Sequence, residues 1–392
     1  MKKILLATTA VVGFAVFATP AMADGLKLDL SGFYRGYGLY ADVDEPATDP
    51  RRDFDFRYDS EIHFTGETTL DNGLTIGVHS EMELTEDDDT RVSGSGEATN
   101  LDESYVYFSG NWGRVNFGQE DGAQYLLQVA APSADALIDG LRTRIQGFDT
   151  DHGGSLAAAG FIDVDFTMDY DNDMARNATK LTYFTPKFNG FQGGLSFAPE
   201  VSDGVEESAG VILPIGSDDD LGDYENLWEL AARWDGEING VGLSAGAGYG
   251  HMSTEADAAG AGVGSDDRTQ WNVAATATFQ AFSFGFSYGE DDYGLGTAAA
   301  GDGADTWVVG LGWDNGPYHL GASYLDKDIE WGSAAGEDFE FEQFTFGGTY
   351  AFGPGMTFRG AVAFGEAQDN NVLPADQSRD FTQVTLGTEV NF

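Results

Sequence analysis

The chain contains no cysteine, few bases and few histidines, and beyond its first residues it has no long hydrophobic run. The missing cysteines exclude disulfides, thiolate catalysis and cysteine-based metal sites together. Glycines and carboxylates interrupt every apolar stretch after the N-terminus, so no segment reads as a transmembrane helix. Lys and Arg number 19 against 66 Asp and Glu, a formal net charge of -47 at pH 7. Such a chain repels nucleic acid and attracts cations. An acidic balance can also signal disorder, but 13% aromatic content argues against it.

The first residues stand apart. Met1-Lys2-Lys3 is a positive start, Ile4 to Ala18 is almost continuously apolar, and Ala21-Met22-Ala23 has the small-x-small pattern of a signal-peptidase site. Residues 1–23 are therefore predicted to be a cleaved signal peptide, with 24–392 forming one exported unit. Fifty-four glycines without a triplet repeat suit many turns and crowded sheet faces.

What the sequence does have is a period of two. From Phe54 to Phe64, Phe54, Phe56, Tyr58, Ile62 and Phe64 alternate with Asp53, Asp55, Arg57, Asp59, Glu61 and His63. Leu74, Ile76, Val78, Met82 and Leu84 alternate with Thr75, His79, Glu81 and Glu83, and Val384, Leu386, Val390 and Phe392 with Gln383, Thr385, Glu389 and Asn391. Successive strand side chains point to opposite faces, so one face is apolar and the other polar. The runs are about 10 to 17 residues, longer than ordinary strands and enough to cross a bilayer at a tilt.

Tight connections fall at 71–73, 111–113, 189–190, 239–240, 280–281, 315–316 and 353–355, most with Asn-Gly or Gly. Longer polar segments lie near 41–51, 86–101, 120–178, 201–223, 252–267, 290–304, 326–338 and 366–379. Seven short turns and eight long loops imply sixteen strands. The predicted fold is all-β: a sixteen-stranded antiparallel transmembrane β-barrel in the outer membrane of a Gram-negative bacterium. Trp112, Phe188, Phe191, Trp313, Tyr318, Phe352 and Phe392 beside the short turns would form an aromatic girdle.

Four places carry a family resemblance. They are Phe64-Thr65-Gly66-Glu67 with Leu70 to Leu74; Glu103 to Gly110 with Gly113 to Gly118; Asn177 with Tyr183, Pro186, Gly190 and Phe191; and the C-terminal alternation ending in Phe392. Together they resemble the sixteen-stranded general diffusion porins, usually trimeric, and especially the acidic porins of alphaproteobacteria. The resemblance implies a third loop folded inward to narrow a water-filled pore for small hydrophilic solutes. The longest connection, 120–178, sits in that place, with short helical pieces expected around Ala134 to Ile145. It implies loop carboxylates, here Asp135, Asp139, Asp149, Asp151, Asp163 and Asp165, facing wall arginines. Arg35 and Arg57 are the wall candidates, expected near one another across a hairpin centred at Pro46. Arg233 and Arg359 have inward parity and rank lower.

Glu61 and Glu103 stand where many general porins carry a wall arginine, and a three-residue turn at Asp71 to Gly73 would bring Glu61 opposite Glu83. Carboxylate rings favour cations, so the expected preference is for cations and neutral solutes. Lipid bilayer, lipopolysaccharide and a homotrimer are the expected partners. Glu86 to Asp89 and Asp218 to Asp220 read as solvated faces that could bridge lipopolysaccharide through divalent ions.

No cofactor is required. Asp169, Asp171 and Asp173 have the alternate spacing of a calcium loop, but Met174 and Lys180 stand where an EF-hand needs glycine and glutamate. They remain a loose calcium candidate. Gly246-x-Gly248-x-Gly250 lacks a nucleotide-binding context, and none of the five histidines has a zinc-protease spacing or neighbours a serine nucleophile. No enzyme is expected. A solute-specific channel is the alternative, although Phe33, Tyr105 and Tyr107 form no evident track in the sequence.

Overall fold

The computed structural model describes residues 27–43, 53–84, 101–145, 169–201, 224–254, 266–294, 303–330, 338–369 and 377–392. The predicted signal peptide lies outside them, as do Glu86 to Asp89 and Asp218 to Asp220. The strands are β1 (Lys27–Val43), β2 (Phe54–Thr69), β3 (Thr75–Glu83), β4 (Leu101–Gly110), β5 (Gly113–Gln119), β6 (Thr179–Phe184), β7 (Phe191–Glu200) and β8 (Tyr224–Ile238). They continue as β9 (Val241–Thr254), β10 (Arg268–Phe279), β11 (Phe282–Asp291), β12 (Gly303–Asn315), β13 (Tyr318–Glu330), β14 (Asp338–Gly353), β15 (Met356–Asp369) and β16 (Gln377–Asn391). Each pairs antiparallel with its chain neighbours, and β1 pairs with β16 to close the barrel. Closure leaves no unpaired edge. At the seam Gly32 and Phe392 exchange both backbone hydrogen bonds at 3.0 Å.

The period of two decides which face is which. Leu28, Leu30, Phe54, Phe56, Phe284 and Phe346 are exposed on the outer wall. Their neighbours in sequence turn inward. Most of the turn aromatics are exposed too, among them Phe188, Phe191, Tyr318, Phe352 and Phe392, as an interfacial girdle requires. The Asn-Gly turns close as their chemistry predicts: Asn239 and Gly240 have φ 52° and 81°, Asn189 and Gly190 φ 48° and 88°.

Several strands depart from the expected bounds. β13 continues to Glu330, β15 to Asp369, and β16 begins at Gln377, so the wall rises into segments the composition marks as loop. There the polarity of the two faces reverses. Phe339, Phe341 and Phe381 are buried inside, while Glu340, Glu342, Glu366 and Asp380 are exposed outside. Conversely β5 and β6 have only 7 and 6 residues. They are short because the chain leaves the wall between them and enters the barrel.

Candidate functional site: the lumen and its inward loop

The segment between β5 and β6 carries α1 (Ala123–Leu126) and α2 (Ala136–Asp139), the second inside the stretch expected to be helical. Its path is cut into the wall by small residues. A Cβ added to Gly246 would press on Val129, one on Gly248 on Gln124, and one on Gly285 or Gly310 on Pro132. At Gly321 it would meet the Ser133 backbone. The alternating glycines of β9, without meaning as a nucleotide motif, are part of this bed. Apolar side chains seal the contact: Leu137, Ile138 and Ile145 pack with Tyr37, Leu39 and Ala361, and Leu127 packs with Phe184 and Ala231. Each buried Leu or Ile contributes about 1.5–3 kcal/mol.

Polar anchors then fix the loop strand by strand. Ala123 N–H donates to Ser196 Oγ at 2.8 Å, Thr276 Oγ1 to the Ala130 carbonyl at 3.0 Å, and Ser323 Oγ to Asp139 Oδ2 at 2.6 Å. His319 Nε2 lies 2.8 Å from the Ser133 carbonyl. Asp135 caps α2 by accepting from Leu137 N–H at 3.1 Å. The same carboxylate accepts from Tyr37 OH at 3.1 Å and Arg359 Nη1 at 2.7 Å. From Arg359 the charges alternate around the wall. Arg359 Nη2 meets Glu389 at 2.8 Å, Glu389 meets Arg35 Nε at 2.6 Å, and Arg35 Nη1 meets Asp59 at 3.0 Å. Five alternating charges thus link β2, β1, β16 and β15 to the loop.

This network corrects the expectations for the wall arginines. Arg35 pairs in register with Asp59, and Arg57 with Tyr37. The hairpin is centred one residue later than Pro46, which moves every partner by two and sets opposite charges side by side in place of like ones. Arg57 lies 3.6 Å from Asp55 on its own strand. Arg359, ranked lower from parity alone, is the arginine that holds a loop carboxylate. Arg233 reaches Asp235 at 3.0 Å and donates to the Gln128 carbonyl at 3.3 Å.

The returning half of the loop is organised by Arg142. Its guanidinium meets Asp173 at 2.6 Å, Asp171 at 2.7 Å and Asp121 at 3.3 Å, and lies 4.2 Å from the Tyr125 ring centroid. Burial alone would lower the Arg142 pKa, yet the three carboxylates hold it well above the ordinary value. Burial, and then Asp121, push Asp173 up to about 6, and burial pushes Asp139 up to about 6. Lys180 Nζ donates to the Glu120 and Arg176 carbonyls, while Asp169 lies 3.9 Å from Lys327. A calcium ion held by Asp171 and Asp173 would have to displace Arg142, so these residues fit an arginine clamp better than a cation cage. Asp149, Asp151, Asp163 and Asp165 lie outside the described residues.

Because the loop lies along β7 to β16 and reaches Tyr37, the inner wall of β2 to β4 faces it from across the lumen. That wall is acidic. Glu61 stands beside Glu83 and Glu81 beside Glu103, as the three-residue turn at Asp71 predicts for the first pair. Glu103 also accepts from Asp121 N–H at 3.3 Å, tying the loop's start to the wall. The expectation of no aromatic track needs revision. Phe33, His63, His79, Tyr105 and Tyr107 form an unbroken diagonal row with centroid spacings of 6.0, 5.9, 5.3 and 6.3 Å. The two histidines join rings that look separate in the sequence.

A closed antiparallel barrel with one of its own connections packed along the inside of the wall defines a class of β-barrel fold. Residues 7–370 match the family model of the Gram-negative porin, and the chain belongs to that family. Among solved structures, an anion-selective porin from Comamonas acidovorans aligns with a TM-score of 0.60 at 18% identity, over 94% of this chain and 100% of that one. A porin refined at 1.8 Å resolution aligns with a TM-score of 0.54 at 18% identity, over 93% and 100%. Such identities establish a shared fold. Uncharacterized proteins of Rickettsia conorii and Rickettsia felis are 28% and 26% identical, each over 52% of this chain and 49% of theirs. The chain therefore spans about half the length of the curated relatives it matches.

Proposed function

We propose that the chain forms a water-filled outer-membrane channel for passive diffusion of small hydrophilic solutes and ions, with a preference for cations, and that it works as a homotrimer in contact with lipopolysaccharide. The observation that carries the cation preference is the charge division inside the barrel. Arg35, Arg142, Arg233 and Arg359 each end on carboxylates. Glu61, Glu83, Glu81 and Glu103 stand next to one another on β2 to β4. Field lines that a row of free arginines would send across the pore close locally on Glu389, Asp135 and Asp173. The acidic wall then raises the local concentration of cations. The Comamonas neighbour is described as anion-selective, and at 18% identity its lumen charges need not be these.

The test is a planar-bilayer recording of the purified protein, with single-channel conductance first and reversal potential in a potassium chloride gradient second. Large ohmic steps, grouped in threes, with a cation-selective potential are expected. Anion selectivity would keep the channel and refute the role given to the glutamates. Absence of conductance from folded protein would refute the channel itself.

Within the ring row, the half-buried Tyr105 favours a second reading, a solute-specific channel in which a sugar-like face stacks on its ring. Concentration-dependent current block by a neutral sugar, lost in Tyr105→Ala, would select it.

A further inference from the structure

We infer that His63, His79 and Glu81 form a binding site for a late first-row transition-metal ion, zinc in particular, on the inner wall of the barrel. The residues come together through strand register. His63 pairs directly with Glu81 across β2 and β3, and His79 lies two residues before Glu81 on the same inward face. One ligand atom from each lies within 4.8 Å of the others, the one such grouping of histidine and carboxylate groups among the described residues. Zinc holds nitrogen and oxygen ligands at about 2.0–2.2 Å, which sets tetrahedral ligand atoms about 3.4 Å apart.

Ring orientation adds an independent argument. His79 Nε2 lies 2.7 Å from Glu81 Oε1, while its Nδ1 lies 2.7 Å from Thr65 Oγ1. His63 Nδ1 faces Glu81 at 3.5 Å, while its Nε2 lies 2.8 Å from Glu61. Each imidazole thus turns one nitrogen to the shared carboxylate and has the other fixed from behind. Glu61 behind His63 makes the carboxylate–histidine–metal arrangement that orients ligands in zinc sites. Two imidazoles and one carboxylate suit zinc, cobalt, nickel or copper and disfavour calcium and magnesium, which take oxygen. Three protein ligands leave one position open to the lumen, for water or a passing solute. The bound ion would place two positive charges against the wall formed by Glu61, Glu83 and Glu103.

Metal binding is independent of whether the barrel conducts, so the first assay does not involve current. Cobalt chloride added to the folded, detergent-solubilised protein should give visible d–d bands of a four- or five-coordinate ion, and zinc chloride should abolish them. His63→Gln/His79→Gln, checked for unchanged circular dichroism, should lose the bands. Thr65→Val, which leaves all three ligands in place, should weaken cobalt affinity about tenfold or more, as loss of a partner behind a ligand does. Should the double variant fail to fold, the Thr65→Val titration decides alone. In bilayers, zinc chloride should lower the cation selectivity of the wild type and leave that of the double variant unchanged, while magnesium chloride should act equally on both. Absence of the bands in the wild type, or equal cobalt binding by the double variant, overturns the site. Cobalt bands from folded protein that passes no current would leave the site standing and count against the channel reading.

Discussion

Replacing Arg359 by alanine should loosen the inward loop without opening the barrel wall. The guanidinium sits between Asp135, whose side chain has 0% exposure, and Glu389, at 9%. Removing it leaves Asp135 without its cation and takes from Glu389 one of its two arginines. Breaking one partner out of a buried ion pair typically costs about 3–5 kcal/mol. Water in the lumen can reach Glu389, and Arg35 still pairs with it, so about 2–3 kcal/mol is the reasonable share for the docked loop. At about 1.4 kcal/mol per factor of ten in an equilibrium constant, the transiently undocked loop becomes roughly 30- to 150-fold more populated. It remains a minority, because Ser323, His319 and the apolar seal of Leu137, Ile138 and Ile145 are untouched. Amide hydrogen exchange measures this directly: protection of residues 134–145 should fall by that factor while the strands keep theirs. In bilayers the same variant should show added current noise. Pairing Arg359→Leu with Asp135→Asn should restore much of the protection, since no charge is then stranded in the loop. Exchange in 134–145 that changes less than threefold in Arg359→Ala would refute the anchoring role.

Three further outcomes follow from the same geometry. Gly310→Val places side-chain atoms in the path of the Pro132 backbone; it should displace the loop and raise single-channel conductance, whereas Gly353→Ala, where an added Cβ meets nothing within 4 Å, should leave conductance unchanged. Arg142→Met leaves Asp121, Asp171 and Asp173 without their shared cation and should raise cation selectivity and create calcium sensitivity, both read from reversal potentials. Burial raises the pKa of Asp139 and Asp173 to about 6, so the docked loop binds protons more readily than the free chain. Its stability is greatest below the ordinary carboxylate range and falls as pH rises through about 6. Protection factors in 134–145, corrected for intrinsic exchange, should therefore be higher at pH 5 than at pH 7.5, and the reverse order would sink that account.

The wall was legible in the sequence because it depends on local rules. Alternation from Phe54 to Phe64 assigns faces without knowledge of any partner, and Asn239-Gly240 closes a hairpin by its own backbone preference. Short turns also fix register, which is why Glu61 and Glu83 could be paired in advance. Register across a long loop is different. A hairpin centre misjudged by one residue at Pro46 replaced Asp59 by Arg57 as the partner of Arg35. The loop contacts were less legible still. Arg35 and Glu389 are 354 positions apart, and Arg359 and Asp135 are 224. Parity says that a side chain points inward and says nothing of what waits there. One signal was available: inward positions occupied by glycine, as at Gly246, Gly248 and Gly250, mark where another segment must lie close.

That signal bears on how a single loop can divide a lumen into two chemistries. A loop laid over polar wall would have to satisfy every buried group it covers. Here the covered arc from β7 to β16 supplies glycines and apolar side chains where the loop backbone comes closest, and buried polar side chains such as Ser196, Thr276, Ser323 and Gln343 that hydrogen-bond to the loop. The arc from β2 to β4 meets the loop through polar contacts, such as Asp121 N–H on Glu103 and Asn177 on Asp102, and it keeps its charges. Arg359 and Arg35 stand at the boundary between the two arcs, and there each is neutralised by neighbours. Glu61, Glu83, Glu81 and Glu103 thereby stand together on one side of the lumen. A chain with the same net charge but lacking the glycine bed would have no reason to separate its charges in this way. Filling the bed, as in Gly310→Val, should consequently weaken ion selectivity as well as raise conductance, because the loop that opposes the acidic wall would no longer hold ions near it.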